Sequence, residues 1–252
     1  MNADIRLEVR RQISEASNAT FFCVDSVSGK EYVYKPVRGE RPLWDFLDQT
    51  LTGREIAASE LDKLLNWNLI PLTQWIFDGP FGEGMIQEWI PEIDTDRPVN
   101  LFSPNSVPPE WINVLQGQTQ DGDLVVLAHA DSEPLKKLAL FDAVANNADR
   151  KAGHVLAVST ERFFGIDHGV CFHEENKLRT VIWGWAGTPI APELIVNLKT
   201  CASALEDGYE PIDMWLSPPE SAALRARLEN LITTELYPLP SPHWPAIPWP
   251  VF

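Results

Sequence analysis

The pattern of apolar residues changes character part-way along the chain, and few folds accommodate that change. Before residue 91 short strand-like runs dominate. Ile5, Leu7 and Val9 alternate with polar neighbours, the period of a half-buried strand. Thr20–Asp25 and Glu31–Lys35 read as two more strands, joined by Ser26-Val27-Ser28-Gly29, where glycine suits a tight turn. Thr52-Gly53-Arg54-Glu55 reads as a capping box, and Ile56, Ala57, Leu61, Leu64 and Leu65 continue it as a helical stripe. Strands over Gln74–Asp78 and Gly84–Ile90 follow. Pro91–Gln120 is rich in Pro, Asp and Asn and shows no period, which reads as a linker.

Past residue 132 the period becomes helical. Ser132 is placed to cap a helix over Glu133–Asn147. Val155–Val158 and Arg162–Ile166 form a hairpin. Leu194, Leu198, Cys201 and Leu205 mark one further helix. Ser217-Pro218-Pro219-Glu220 opens another, with Leu224, Leu228 and Leu231 inward. The tail Tyr237–Phe252 is Pro-rich but carries Trp244, Ile247, Trp249 and Phe252, as an extended strap docked on the surface would. The expected architecture is α+β: a β-rich lobe with one helix over 1–90, a linker over 91–132, and a mainly helical lobe with one hairpin over 133–252.

Composition narrows the function classes. A chain of 252 residues, 44% hydrophobic, can bury a sizeable core. The formal charge of −16 argues against nucleic acid and anionic membrane surfaces as partners. Three scattered cysteines make no disulfide framework, the N-terminus has no apolar signal region, and no run of about 20 apolar residues is present. A soluble, cytoplasmic setting is the expectation.

Four residue types needed for phosphoryl transfer occur in order. Lys35 ends a strand, Glu55 opens a helix, Asp149 lies in Asn146-Asn147-Ala148-Asp149-Arg150, and Asp167 follows a strand in Ile166-Asp167-His168-Gly169. Such chemistry needs a lysine on phosphate oxygens, a glutamate to hold it, one carboxylate for the accepting hydroxyl and another for a metal ion. The two aspartates are separated by one hairpin, whose strand ends return to one place. Glu55 has two incompatible readings: a capping glutamate folded back on its own helix start, or a partner reaching across to Lys35.

These motifs together resemble the atypical branch of the protein-kinase-like superfamily, the phosphatidylinositol 3-/4-kinase-like group, which includes type II phosphatidylinositol 4-kinases and HipA-type bacterial kinases. Phe141–Arg150 is similar to the helix and catalytic loop of the lipid kinases, Ile166–Gly169 to their metal motif, and Glu55–Ala58 with Leu69–Thr73 to their helix and following loop. The chain looks like an uncharacterised bacterial family within that superfamily. The resemblance implies a two-lobe kinase-like fold and an ATP-dependent phosphotransferase using Mg²⁺ or Mn²⁺, with ATP and an unknown small-molecule or protein hydroxyl as substrates. It implies Lys35, Asp149 and Arg150 as catalytic groups, and Asp167 with His154 at the metal. Lys35, Glu55, Ser17, Asn18, Glu88, Trp89 and Ile90 would surround the nucleotide, the last three giving backbone hydrogen bonds to adenine.

Two departures keep other readings open. The family has asparagine where this chain has His154, and a neutral imidazole is a poor ligand for magnesium. The segment Ser14–Thr20, expected over the phosphates, lacks glycine. A nucleotide-binding pseudokinase with a regulatory role and a nucleotidyl (AMP) transferase are the alternatives. His168, Cys171 and His173, with His154, form the pattern of a possible zinc site. Lys177 and Arg179, which follow the metal motif, have two readings, holders of a substrate's anionic group or two exposed cations, and the second is preferred.

Overall fold

The computed structural model describes residues 5–14, 18–91, 93, 97–119, 121–159 and 161–252. Ser17 lies outside the described residues. Strands β1 (Leu7–Gln12), β2 (Phe21–Asp25) and β3 (Glu31–Pro36) form the expected antiparallel meander. Helix α1 (Leu51–Leu65) follows, then β4 (Thr73–Gly79) and β5 (Gly82–Glu88). The five strands make one sheet in the order β1-β2-β3-β5-β4, all pairs antiparallel. Alternation along β3 buries Tyr32, Tyr34 and Pro36 on one face and turns Lys35 to the other. Lys35 is paired with Met85, and Pro36 with Gly84. A Cβ on Gly84 would run into the Lys35 carbonyl, so glycine lets the two strands close beside the lysine.

Residues 91–132 depart from the linker reading. They hold a three-stranded antiparallel sheet of β6 (Val99–Phe102), β7 (Trp111–Gln118) and β8 (Leu124–Ala130), in the order β6-β8-β7. Val99 and Leu127 enter the main core, and buried His129 stacks on Trp185 with ring centroids 4.5 Å apart. The period was hidden because β7 is largely exposed and β6 is only four residues long.

The remaining elements are α2 (Glu133–Ala145), the hairpin β9 (Val155–Ser159) and β10 (Arg162–Gly165), α3 (Pro192–Leu205), the short α4 (Glu210–Asp213) and α5 (Pro218–Thr234). Ser132 occupies the N-cap of α2 without a side-chain cap bond. Ser217 and Glu220 form the expected capping box of α5. The tail docks as a strap: Ala246 O accepts from Thr180 N (3.0 Å) and Trp183 Nε1 (2.8 Å), and Val251 O from Ala152 N (2.8 Å).

The result is the α+β, two-lobe arrangement expected, with a different seam. One core joins α1, α2, α3, α5 and the two smaller sheets, whereas the five-stranded sheet has a small core of its own around Cys23, Tyr32, Tyr34 and Ile86. Helix α1 therefore packs into the helical lobe, through Ala57, Ala58, Leu61 and Leu65, as well as under the sheet.

Candidate functional site

Helix α1 does not start with a capping box. Its N-cap, Thr50, makes no side-chain cap bond, and Thr52 lies inside the helix. The orphan N–H groups of Leu51 and Thr52 are instead taken by the Glu40 carboxylate, at 3.1 and 2.7 Å. Glu55 is thereby free of any capping duty. It is 2% exposed, and its two oxygens reach Lys35 Nζ (2.5 Å) and the backbone N–H of His168 (2.9 Å). The capping reading of Glu55 is overturned, and the lysine-partner reading stands.

Lys35 Nζ makes a second ion pair, with Asp167 Oδ1 at 2.8 Å. Burial lowers the affinity of the lysine for its proton, but the carboxylates of Asp167 and Glu55 outweigh it, and the Lys35 pKa ends raised. The Lys35 charge likewise holds Asp167 ionised, well below the usual carboxylate range. Asp167 has φ +62°, in the left-handed region, which turns its side chain off the line of β10.

The β9–β10 hairpin places both aspartates at one end. His154 spans them: its Nδ1 lies 3.0 Å from Asp149 O and its Nε2 3.4 Å from Asp167 Oδ2. Burial lowers the His154 pKa, although the Asp167 carboxylate pulls the other way. Asp149 N donates to Asn147 Oδ1 within the loop (2.9 Å), and Asp149 Oδ2 lies 3.2 Å from Lys151 Nζ. Lys151 escaped sequence reasoning, although a cation two residues beyond Asp149 was visible.

Arg150 is corrected from a catalytic group to a positioning one. It is fully buried and points inward. Nε and Nη2 each donate to Asp142 at 2.9 Å, and Nη1 donates to His154 O (3.1 Å) and Ile166 O (2.7 Å). Asn147 Nδ2 also donates to Asp142 Oδ1 (3.0 Å). One buried pair thus ties α2 to the loop bearing Asp149 and to the strand preceding Asp167. Asn146 ends α2 in the left-handed conformation. Its amide holds the following segment through His173 O (2.9 Å), Glu175 O (2.6 Å) and Lys177 N (2.9 Å).

The residues expected around a nucleotide divide. Asn18, Lys35, Glu55 and Asp167 line one cavity of about 20 Å³, room for a single water and not for a triphosphate. Asn18 Oδ1 accepts from Arg41 N (2.8 Å). At the far end of β5, Glu88 N–H is committed to Leu72 O (2.9 Å) and Trp89 N–H to Glu31 O (3.0 Å). Among the described residues only the Ile90 N–H of these three has no backbone partner, so of their N–H groups it is the one left to donate.

The zinc pattern does not converge. His168 and Cys171 are fully buried, and His168 Nε2 lies 2.7 Å from Arg150 Nη2, while His173 meets Phe46 edge to face. Among the described residues no group of three or more His, Cys, Asp or Glu side chains could hold a metal ion. A hard cation has one suitable protein ligand here, the half-exposed Asp167 carboxylate. Magnesium that keeps waters and binds nucleotide phosphates fits such a site; His154 does not fit as its ligand. Lys177 is also corrected: it is buried, not exposed.

Among the described residues no helix is long and apolar enough to cross a membrane. No family model matches the chain. A Helicobacter pylori proinflammatory kinase, CtkA, has a crystal structure that aligns with 93% of this chain and 94% of its own, at 12% identity and a TM-score of 0.43. Protein Rv2133c of Mycobacterium tuberculosis (strain ATCC 25618 / H37Rv) is 44% identical over 262 residues, spanning 99% of this chain and 94% of the relative. The chain belongs to the family of protein Rv2133c.

Proposed function

We propose that this protein is an ATP-dependent phosphotransferase of the kinase-like type. One observation carries the reading: Lys35 Nζ is held between Glu55 and Asp167, residues distant in sequence and drawn from a strand, a helix and a hairpin end. An ammonium fixed between two carboxylates is set to exchange one of them for phosphate oxygens. Glu55 keeps the lysine aimed. Asp167 Oδ2 is the ligand for Mg²⁺ or Mn²⁺, whose contribution is to neutralise charge on the phosphates. Asp149 orients the acceptor hydroxyl and receives its proton, as the acceptor oxygen bonds to the γ-phosphorus and ADP departs. Lys151 neutralises charge beside Asp149. The acceptor is a small molecule or a protein hydroxyl.

A second reading, a nucleotide-binding pseudokinase, is favoured by His154 beside Asp167 and by the tight cavity at the phosphate end. A thermal-shift titration decides nucleotide binding first. ATP with Mg²⁺ or Mn²⁺ raises the midpoint of wild type by mass action, and Lys35→Met removes most of the rise. ADP release then separates the two readings. No shift for a folded sample at millimolar ATP counts against both.

A further inference from the structure

Beside Asp149 lies a guanidinium that the proposed chemistry has not used. The backbone of Arg179 runs along the catalytic loop: Arg179 N donates to Asn147 O (2.9 Å) and Arg150 N to Arg179 O (3.0 Å). Its side chain is fixed twice. Nε donates to Ala148 O at 2.5 Å, one residue before Asp149, and the guanidinium carbon sits 5.6 Å from the Trp244 ring centroid. Among the described residues no carboxylate pairs with Arg179. The neighbouring cations differ. Lys177 is neutralised by Asp45 (2.6 Å), with Glu175 at 3.7 Å, and Lys151 faces Asp149 itself. In a chain of formal charge −16, a half-buried, pre-aimed, uncompensated guanidinium at the catalytic loop calls for an anion.

Aromatic walls accompany it. Lys177 Nζ lies 4.9 Å from the Trp44 centroid and 5.1 Å from that of Trp244, so the two indoles and the two cations form a row. Trp44 is 86% exposed, so apart from the Lys177 ammonium its ring faces solvent. Trp244 is brought there by the strap, and its buried Nε1 has no acceptor among the described residues.

We propose that this row is the acceptor site, and that Arg179 binds an anionic group, phosphate or carboxylate, on a small hydroxyl compound whose body rests on the indoles. Presented this way, the acceptor hydroxyl falls beside Asp149. The inference rests on the phosphotransferase reading for the role of the site, but not for the binding itself.

The test therefore has two arms. In the first, wild type without ATP is titrated with inorganic phosphate and with glycerol 3-phosphate by calorimetry. Saturable binding is expected. Arg179→Gln weakens it about tenfold or more, as loss of a charged hydrogen bond does, and Arg179→Lys weakens it less. Circular dichroism and an unchanged ATP thermal shift confirm that each variant is folded. No binding by wild type, or equal binding by Arg179→Gln, overturns the site. In the second arm, ADP release with ATP and Mg²⁺ is compared for glycerol, glycerol 3-phosphate and glycerate. Faster release with a charged member, lost in Arg179→Gln, supports the acceptor role and separates phosphate from carboxylate. Equal rates with glycerol overturn that role while leaving the kinase reading intact. Anion binding without any ATP binding leaves the site standing and removes the kinase reading.

Discussion

Replacing Glu55 by Gln tests the centre of the site with a change of almost no volume. The wild-type carboxylate serves two donors at once, Lys35 Nζ and His168 N–H, from a side chain 2% exposed. Glutamine keeps one carbonyl oxygen for one of them. Its amide then faces the other, donor against donor. Removing one partner of a buried ion pair costs about 3–5 kcal/mol when the remaining charge is stranded. Here Lys35 keeps Asp167 at 2.8 Å and its side chain is 17% exposed, so the lower range for a lost charged hydrogen bond applies, about 2–3 kcal/mol. For a chain of this length that lowers the thermal midpoint by roughly 4–12 °C. Urea unfolding should show a lower midpoint with an unchanged slope. ATP-dependent turnover should fall with it, because Lys35 is left to swing toward Asp167. A midpoint within about 1 °C of wild type would refute the reasoning.

Other perturbations separate the roles of neighbouring acids. Asp167→Asn is expected to weaken metal-dependent ATP binding in calorimetry, whereas Asp149→Asn leaves binding largely intact and lowers turnover about 10²–10⁴-fold; the reverse pattern would exchange their roles. Asp142→Ala strands the fully buried Arg150 and should cost about 3–5 kcal/mol in denaturant unfolding, against less than about 1 kcal/mol for Asp149→Asn. Asp62, buried at the end of α1, accepts from Leu69 N (2.8 Å) and Ile70 N (3.0 Å), yet burial pushes its pKa up to about 6. A raised carboxyl pKa means stability that is present below the ordinary value near 3.8 and lost as pH rises through about 6. Asp62→Asn should flatten the pH dependence of the thermal midpoint across that window, and an unchanged slope would remove Asp62 as its source.

Strands and helices with an amphipathic period were legible, because the signal is local: β2, β3, α2, α3 and α5 fall where the residues placed them. The apolar run Leu124–Ala130, which forms β8, was passed over inside the 91–132 linker reading, and its partners β6 and β7 are short or exposed, so the sheet was not legible. Lys35, Glu55 and Asp167 come together, with the Asp149 backbone tied to Asp167 through His154, because type and order carry across a fold even when distances do not. What the sequence could not disclose depended on a third element. Glu55 was ambiguous until Glu40, from outside the helix, took over the capping. Arg150 looked like a catalytic cation until Asp142, fully buried in α2, claimed it. Lys177 looked exposed until Asp45 and Trp244 covered it. Each error has one cause, a partner distant in sequence.

The partition of the core also bears on how a nucleotide enters. A triphosphate does not fit a cavity of about 20 Å³, so the proposed ATP binding requires the phosphate end to open. Moving α1 away would break the buried Arg54–Glu220 pair (2.6 Å), the Arg54 bond to Cys171 O (2.9 Å), and the packing of Leu61 and Leu65 in the main core. Moving the five-stranded sheet breaks less, since its core is small and separate. The motion most readily available is therefore the sheet, carrying Lys35, away from a fixed platform that carries Glu55, Asp149 and Asp167. The two ion pairs of Lys35 span that seam. In the proposed reaction, phosphate oxygens entering it would replace the Asp167 contact on the lysine and leave that carboxylate to a metal ion, so the closed form would hold the same groups that binding uses.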